Sequence, residues 1–334
     1  MRFSRPTGFF RLSLAGLLAG SLLAGRLQPA AARDAAGGRV TLVVPLAAGG
    51  AMDTIVRSLA ARLSVQMGKT VIVENRTGGG TVTGAISVAK AAPDGNTLLI
   101  APSATLTVNV ALYKTLNCDP IKDFTPVGMY ARVPFVLVAN AQSGIRSIAD
   151  LVAQAKENPG KLTYASTGVG ATPHLAGEML KTMTGIDITH VPYRGSPPAL
   201  NDVIGGHVQL TFADPALVQD LIETKKVFPL GVSSLTRMAT LPDVPALAEV
   251  GLPGFDAISW HMVMAPAGTP ADTVRKFNDA IREFALAPEV QKQMGAMGMM
   301  PVASPPPGEL QSYLKAEIER WGKIVQQAGV AGSQ

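Results

Sequence analysis

Residues 40–56, VTLVVPLAAGGAMDTIV, hold the pattern that decides the fold. Val40–Pro45 is a short apolar run rich in β-branched residues, and it predicts a buried strand. A turn containing two glycines follows, and Asp53–Met67 then repeats apolar residues on one helical face until Gly68 ends the pattern. A strand, a glycine turn and an amphipathic helix in direct succession predict one unit of a sheet covered by helices.

The same succession continues along the chain and predicts an α/β fold with mostly parallel sheets flanked by helices. Pro229 lies inside one of the strands and therefore places that strand at a sheet edge. Thr269 is expected to cap the helix that follows it, with Pro270 in the first turn. Further strands are predicted at Val71–Glu74, Thr97–Ala101, Leu162–Ala165, Ile188–Val191, Val208–Phe212, Val227–Val232 and Ile258–Ala265. Further helices are predicted to run through Val88, after Ser147, and at Thr172–Gly185, Ser196–Gly205, Ala271–Leu286 and Glu309–Gln327.

The length of 334 residues predicts two compact units rather than one. We expect residues 33–138 and 263–334 to form a first lobe, and residues 139–262 to form an inserted second lobe. Two chain crossings would then make a hinge. Hydrophobic residues make up 47% of the chain and charged residues 16%, a composition that favours packed cores over disorder.

The formal net charge of +5 comes mostly from the N-terminus. Residues 1–32 hold four arginines and no acidic residue, which leaves 25 basic and 24 acidic groups in the remainder. No cluster of Lys or Arg stands out there, so we expect no nucleic-acid partner.

Residues 1–32 have the layout of a secretory signal peptide. Three arginines among the first eleven residues precede the apolar run Leu12–Ala24, and Ala30–Ala32 supplies small residues for cleavage. The apolar run is shorter than the roughly 20 residues that span a bilayer, and Arg26 follows it. We therefore predict cleavage near Ala32 and a soluble exported protein, periplasmic in a host with two membranes.

The sequence lacks the motifs of the common enzyme and metal sites. Cys118 is the only cysteine, so no intramolecular disulfide is expected and its thiol is interpreted as structural. The four histidines follow no metal-binding spacing, and we expect neither a metal nor another cofactor. There is no G-x-S-x-G motif, and Pro173 stands where a dinucleotide-binding loop starting at Gly168 needs glycine. We therefore predict a binding protein rather than an enzyme.

Two glycine-containing loops are the candidate binding elements. Ala48-Gly49-Gly50 precedes the first helix, and residues 166–174, STGVGATPH, precede a later one. A parallel sheet places such loops at its carboxyl edge, where open α/β folds bind ligands. The free N–H groups of a helix N-terminus bind an anion without a basic side chain. Each loop alone is better explained as an ordinary turn, but the two together favour a small carboxylate held across a cleft.

Four side chains near these loops have two interpretations each. Asp53 and Thr172 are expected to cap their helices while they orient the binding loops. His174 either donates to a ligand or packs as a structural histidine. Asp214 either accepts from a ligand amine or caps the helix that begins at Pro215.

Eight segments resemble, in their order and spacing, the Bug-type substrate-binding proteins of the tripartite tricarboxylate transporter family. Each segment alone is weak, but the series extends over essentially the full chain and is specific. The segments are Val44–Thr54 (VPLAAGGAMDT), Val71–Thr77 (VIVENRT), Ala89–Leu99 (AKAAPDGNTLL), Tyr164–Gly177 (YASTGVGATPHLAG), His190–Ala199 (HVPYRGSPPA), Leu241–Pro245 (LPDVP), Gly251–Trp260 (GLPGFDAISW) and Ala265–Pro270 (APAGTP).

The resemblance implies a two-lobed periplasmic-binding-protein fold, the Venus flytrap, with the ligand between the lobes. It also implies delivery to a membrane permease of one large and one small integral subunit, driven by an ion gradient. We expect the binding protein to be a monomer. Asp214 is a ligand-binding candidate from the sequence pattern, and the resemblance implies that the ligand meets Ala48, Gly49, Gly50, Asp53, Ser103, Thr105, Ser166, Thr167, Gly170, Thr172 and His174.

The chain departs from the family pattern at two points. Leu46 and Ala47 stand where the family often has an aromatic residue and proline. Ala213 stands where the family often has aspartate, and Asp214 comes one position later. Both departures touch the predicted pocket, so the resemblance does not carry over the identity of the ligand.

Two other functions remain open on the sequence alone. The same fold serves sensors that present a ligand to a membrane histidine kinase. A hydrolase would have to pair Ser166 or Ser103 with His174, and the residue order of a catalytic triad is missing.

Overall fold

The computed structural model describes residues 38–334, so the predicted signal peptide lies outside the described residues. Eleven strands form in this part of the chain. They are β1 Arg39–Val44, β2 Thr70–Asn75, β3 Thr97–Pro102, β4 Phe124–Val133, β5 Val136–Asn140, β6 Thr163–Ser166, β7 Thr189–Pro192, β8 Leu210–Ala213, β9 Val227–Val232, β10 Ser259–Pro266 and β11 Met300–Pro301.

The described residues also form eleven α-helices and two short 3₁₀ turns, Gly79–Thr81 and Leu247–Glu249. The helices are α1 Ala51–Met67, α2 Val82–Ala89, α3 Ser103–Leu106, α4 Val108–Leu112, α5 Ile148–Glu157, α6 Thr172–Thr184, α7 Ser196–Ile204, α8 Pro215–Glu223, α9 Ala271–Leu286, α10 Pro288–Ala296 and α11 Pro307–Gln327. No helix among residues 38–334 has the length and apolar character needed to cross a membrane.

The strands build two sheets, each flanked by helices. The first sheet has the order β11-β4-β10-β3-β1-β2, and the second has the order β7-β6-β8-β5-β9. The predicted two-lobed α/β fold is therefore confirmed. β9 lies at the edge of its sheet, as Pro229 predicted, because proline has no N–H to donate to a further strand.

Both sheets are mixed, but four of six strands in the first sheet and four of five in the second run in one direction, as expected for mostly parallel sheets. In the first, β3, β1 and β2 are parallel, while β10 runs antiparallel to β3 and β4. In the second, β7, β6 and β8 are parallel, while β5 runs antiparallel to β8 and β9. β5 is the first strand after the chain crosses into the second sheet, and β10 is the first strand after it returns to the first sheet. Each begins at the carboxyl edge, where the parallel strands of that sheet end. A strand that starts at this edge has to run against its parallel neighbours.

The chain crosses from the first sheet to the second between Val133 and Val136, and it returns between Val232 and Ser259. The lobe boundaries predicted after residues 138 and 262 fall inside β5 and β10, so the crossings lie a few residues earlier. The assignment of two lobes by residue range otherwise remains a prediction.

The register of the strands fixes where the crossings lie. Ser259 pairs with Val133, and His261 pairs with Pro102, the last residue of β3. In the second sheet Val136 pairs with both Ala213, the last residue of β8, and Val232. Both crossings therefore join the carboxyl edges of the two sheets. The loops that follow the parallel strands lie at these same edges.

Four buried hydrophobic clusters stabilise the fold, one on each face of each sheet. In the first sheet, one face packs against α1 and α9, and the other packs against α2 and the start of α11. The C-terminal part of α11 packs against the second sheet instead. Its Trp321, Ile324 and Val325 lie in a cluster of that sheet, together with Val108 and Leu112 of α4. The last helix therefore bridges both sheets.

Most predicted elements are confirmed with bounds shifted by one or two residues. Ser147 caps α5 as predicted, because its side chain accepts from the Asp150 N–H at 3.0 Å. The Thr269 prediction is wrong: Pro270 is the N-cap of α9, and the Thr269 hydroxyl donates to the Pro266 carbonyl at 2.8 Å instead. Cys118 is buried, and burial raises the pKa of its thiol, as a structural cysteine requires.

Candidate functional site

The side chain of Asp53 fixes the loop between β1 and α1 through hydrogen bonds. Gly50 is the N-cap of α1, so Asp53 is the third helical residue rather than the predicted cap. Its carboxylate accepts from the Gly49 N–H at 3.0 Å, from Arg57 at 2.9 and 3.1 Å, and from the Asn75 amide at 2.9 Å. Gly49 has φ +87°, a left-handed conformation that glycine adopts without strain. Asp53 therefore orders the loop and has no oxygen left for a ligand.

The electrostatics of Asp53 follow from these contacts. Its side chain is only 4% exposed, whereas that of Arg57 is 52% exposed. The Arg57 hydrogen bond and the bonds from Gly49 and Asn75 outweigh burial and lower the pKa of Asp53 to about 2. Asp53 is therefore ionised at neutral pH, and Arg57 compensates its charge.

The first turn of α1 leaves donors open beside this ordered loop. The first N–H groups of a helix have no partner inside the helix and carry partial positive charge. The loop is exposed, and a Cβ built on Gly49 or Gly50 would meet no atom within 4 Å. Because the Gly49 N–H is bonded to Asp53, the free donors are those of Gly50, Ala51 and Met52 rather than Gly49.

Ser103 and Thr105 lie after β3 at the same edge, and both are buried. The Ser103 hydroxyl is 3.0 Å from that of Ser259, at the start of β10. The Thr105 hydroxyl is 2.6 Å from that of Thr81, which follows the Gly78-Gly79-Gly80 loop. Each hydroxyl therefore joins two segments of the first lobe.

The loop after β6 is organised by Ser166 and His190. The Ser166 hydroxyl lies 2.6 Å from His190 Nε2, donates to the Gly168 carbonyl at 3.1 Å and accepts from the Gly168 N–H at 3.2 Å. Ser166 is fully buried. Burial, with smaller contributions from His174 and Lys181, lowers the pKa of His190 to about 3, so this histidine is neutral. The pair shapes the turn that precedes α6.

His174 is buried and structural, the second of its two predicted interpretations. Its Nδ1 accepts from the Gly170 N–H at 3.1 Å, and its ring stacks on His190 with centroids 4.0 Å apart. Gly170 has φ +78°, and a Cβ there would lie 2.5 Å from Leu112 of α4. The Gly170 N–H is thus engaged inside the protein. Its lack of a side chain lets the second-sheet loop touch α4.

Thr167, Thr172 and Asp214 complete the predicted set. Ala171 is the N-cap of α6, so Thr172 is its first helical residue and not the predicted cap. Within residues 38–334, neither Thr167 nor Thr172 makes a side-chain hydrogen bond, so both hydroxyls remain available. Asp214 is the N-cap of α8, and its carboxylate accepts from the Ser196 hydroxyl at 2.5 Å.

Two contacts join chain segments at these edges. Gly170 meets Leu112 of α4, which follows β3 along the chain and packs in a hydrophobic cluster of the second sheet. Pro215, at the start of α8, lies 3.0 Å from a Cβ built on Gly298, which precedes β11 of the first sheet. The two carboxyl edges are therefore joined by chain crossings and touch through loops.

The geometry does not support hydrolytic chemistry. Ser166 pairs with His190 rather than with His174, and among the described residues no carboxylate hydrogen-bonds to His190. A histidine with a pKa of about 3 is a weak base at neutral pH. The stacked pair His174 and His190 also lacks a third ligand, since the described residues contain no group of three His, Cys, Asp or Glu side chains suited to a metal.

A groove of about 700 Å³ lies away from both edges, between the end of α1 and α9. Lys69, Phe277 and Glu283 are among the side chains that line it. None of the predicted site residues lines it, so its size alone does not make it the candidate site.

Sequence reasoning missed several residues that shape the edges. Asn75 and His190 both lie at or near strand ends, within segments that carry the family resemblance, and each anchors a loop through its side chain. Thr81 has φ +81°, an uncommon conformation for threonine, and it follows three glycines. The glycine run was the available signal for Thr81, but its pairing with Thr105 depends on tertiary structure.

The two sheets, the two crossings and the paired carboxyl edges define a two-lobed solute-binding protein of the periplasmic-binding-protein fold. Two solved structures share this fold closely. R. palustris Rpa4515 with adipate has a TM-score of 0.77 and 38% identity, over 89% of this chain and 99% of that chain. MatC (Rpa3494) from Rhodopseudomonas palustris with bound malate has a TM-score of 0.72 and 31% identity, over 86% of this chain and 99% of that chain.

Residues 55–330 match the family described as "Tripartite tricarboxylate transporter family receptor". The protein BugT of Bordetella pertussis (strain Tohama I) is 35% identical over 291 residues, 87% of this chain and 89% of BugT. The chain therefore belongs to the tripartite tricarboxylate transporter receptor family, and the resemblance to Bug-type proteins is confirmed.

Proposed function

We propose that the chain is a periplasmic receptor that captures a small organic carboxylate between its two lobes. It delivers this ligand, as a monomer and without chemical conversion, to the membrane permease subunits of a tripartite transporter driven by an ion gradient. The observation that carries the proposal is the β1–α1 loop, where the N–H groups of Gly50, Ala51 and Met52 have no hydrogen-bond partner within residues 38–334 and Arg57 compensates the charge of Asp53.

The mechanism of capture uses backbone rather than cationic side chains. A carboxylate at the start of α1 accepts from N–H groups whose partial charge is already oriented, so little reorganisation is needed. The hydroxyls of Thr167 and Thr172 add donors from the second lobe. Closure of the lobes about the two crossings then surrounds the ligand.

The comparisons support the carboxylate class. Rpa4515 was solved with adipate and MatC with malate, and both are dicarboxylates on a fold that this chain shares. The signal-peptide pattern of residues 1–32 supports export, and the family supports a transporter as partner.

Calorimetry and thermal unfolding of the mature protein, with adipate and malate as first ligands, test the proposal. A ligand that binds only the folded protein raises its stability by about 2.7 kcal/mol at 100 times Kd. We expect at least one of these, or a related di- or tricarboxylate, to raise Tm and release or absorb heat. A folded protein that responds to no carboxylate would contradict the proposal.

Arg194→Ala is the control for a salt-bridge mechanism. Arg194 is exposed in the loop after β7 and makes no ion pair within residues 38–334. A conventional account would make it the partner of the ligand carboxylate. If the helix N-terminus binds instead, removing this charge weakens binding by less than about 1 kcal/mol, as for an exposed charge.

A further inference from the structure

Large hydrophobic side chains are exposed where the ligand is proposed to bind. Residues 38–334 expose eight such side chains, and four of them lie at the carboxyl edges of the two sheets. Leu46 follows β1, Val169 follows β6, Leu217 is in the first turn of α8, and Leu235 follows β9. They are between 39% and 50% exposed. Half of the exposed large hydrophobics thus lie on the short loops, or in the first helical turn after one, at the edges where the ligand is proposed to bind.

The polar side chains at the same edges are already paired with protein groups. The two candidate carboxylates are the clearest cases: Asp53 accepts from Gly49, Arg57 and Asn75, and Asp214 accepts from Ser196. Both carboxylates therefore have a protein donor, although among the described residues Asp214 accepts through Oδ2 alone. The hydroxyls of Ser103, Thr105 and Ser166 are likewise bonded to Ser259, Thr81 and His190. Thr167 and Thr172 are the predicted side-chain donors that remain.

We propose that the ligand is a carboxylate with an apolar body, aliphatic or aromatic, and that Leu46 and Val169 set this preference. This inference rests on the proposed function and narrows its substrate class. The helix N-terminus takes the carboxylate, and the exposed leucine and valine side chains cover the hydrocarbon part when the lobes close. Each methylene removed from water then strengthens binding about fourfold. A hydroxyl or ammonium group on the body loses its hydrogen bonds to water without replacement.

A matched series of ligands tests the class. Adipate, 2-hydroxyadipate and 2-aminoadipate have the same length and the same two carboxylates, and they differ only in the group on carbon 2. Calorimetry on the mature protein is expected to give adipate at least about tenfold tighter binding than either analogue, since one lost polar interaction accounts for that ratio. Equal or tighter binding of the hydroxy or amino compound, with adipate also bound, would overturn this inference and leave the proposed function standing. If no carboxylate binds, both fail together.

Matched variants test the two side chains. Val169→Thr replaces an exposed methyl group with a hydroxyl at nearly the same volume, and Val65→Thr makes the same change away from the site. Val65 is 83% exposed and lies 14 residues after the start of α1, about 20 Å along the helix. We expect Val169→Thr and Leu46→Ser each to weaken adipate binding about threefold to tenfold. Each should also reduce the ratio of the Kd for 2-hydroxyadipate to the Kd for adipate. Val65→Thr should change neither. If both edge variants bind adipate like the wild type, these side chains do not set the preference.

Discussion

At the scale of single residues, Asp53 connects folding with binding. It is the third residue of α1, and it accepts from the N–H of the residue before the N-cap. Because three protein groups occupy its carboxylate, its influence on a ligand acts through the position of the loop. Its charge and that of Arg57 cancel near the helix N-terminus, which leaves the partial charge of the N–H groups unopposed.

We expect Asp53→Asn to lower the free energy of unfolding by about 1–2 kcal/mol at pH 5, a value that allows for solvent screening of the half-exposed Arg57. The folded-state pKa of about 2 lies below the ordinary value of 3.8. The stabilisation is therefore complete above pH 3.8 and is lost as the pH falls through about 2. Urea unfolding of both proteins between pH 2 and 6 measures the difference, which should shrink toward acid pH. A constant difference would contradict the assignment.

Asp150→Asn is a matched control because Asp150 has the same position in α5. It is the third helical residue, and its carboxylate accepts from the Arg146 N–H at 3.0 Å. α5 begins after β5, at the edge of the second sheet opposite the candidate site. Asp53→Asn should weaken binding of adipate about tenfold or more, and Asp150→Asn should leave it unchanged. Equal loss in both variants would mean that general destabilisation explains the effect.

At the scale of elements, α11 is the helix that joins the two halves of the molecule. Glu317, near its middle, is buried and accepts from the indole N–H groups of Trp260 at 2.9 Å and Trp321 at 3.0 Å. Trp260 belongs to β10 of the first sheet, whereas Trp321 lies in a cluster of the second. Arg320 pairs with the other oxygen of Glu317 at 3.1 Å. One carboxylate therefore satisfies two buried donors from different cores.

We expect Glu317→Leu to lower the free energy of unfolding by about 2–5 kcal/mol, because two buried indole donors lose their acceptor. Glu317→Gln keeps an acceptor oxygen and should have a smaller effect. Glu319→Leu is the control, since Glu319 is exposed and within residues 38–334 pairs only with Lys323, and little change is expected. Denaturant titration followed by tryptophan fluorescence measures all three. Equal stability of Glu317→Leu and Glu317→Gln would contradict a role for the two hydrogen bonds.

The sequence predicted the elements whose signals are local. Apolar periodicity located α1, Thr269-Pro270 located the start of α9 to within a residue, and Ser147 marked the start of α5. β4 was missed because Pro126 and Gly128 interrupt its pattern, and the register shifts where it pairs with β10. The direction of β5 and β10 was also missed. A single strand does not reveal which edge of a sheet the chain enters.

The same limit applies to the candidate site. The positions of the loops at the strand ends were predicted correctly because glycine, proline and capping residues mark the boundaries of helices and strands. The side-chain pairs were not, since Ser166 and His190 are 24 residues apart and Trp260 and Glu317 are 57 apart. Whether a polar side chain faces a ligand or another residue depends on its neighbours in space. Asp53, His174 and Gly170 were therefore predicted at the site without their internal partners.

At the scale of the whole molecule, the acid sensitivity of folding is set by buried histidines. Burial lowers the pKa of His190 and of His261 to about 3, and it also lowers the pKa of His174. These groups bind protons more readily in the unfolded chain than in the folded protein. Their contribution to stability is therefore complete above about pH 6.5 and is lost as the pH falls toward 3. These three histidines therefore contribute their full stabilisation at neutral pH.

The two crossings also predict that the molecule closes on its ligand. The carboxyl edges bear the open donors of α1 on one side and Thr167 and Thr172 on the other, and a ligand that bridges them is bound best when the edges approach. The crossings at residues 134–135 and 233–258 are the segments that would move.

We therefore expect saturating adipate to reduce the radius of gyration of the mature protein toward about 19 Å, the value of a compact chain of this length. Small-angle scattering with and without ligand measures the change, and calorimetry on the same sample establishes saturation. As a control, 2-aminoadipate is added at a concentration below its own Kd, where calorimetry shows little binding, and the scattering should be unchanged. Bound adipate with an unchanged radius of gyration would mean that the ligand occupies one edge alone. The lobes would then not capture it between them.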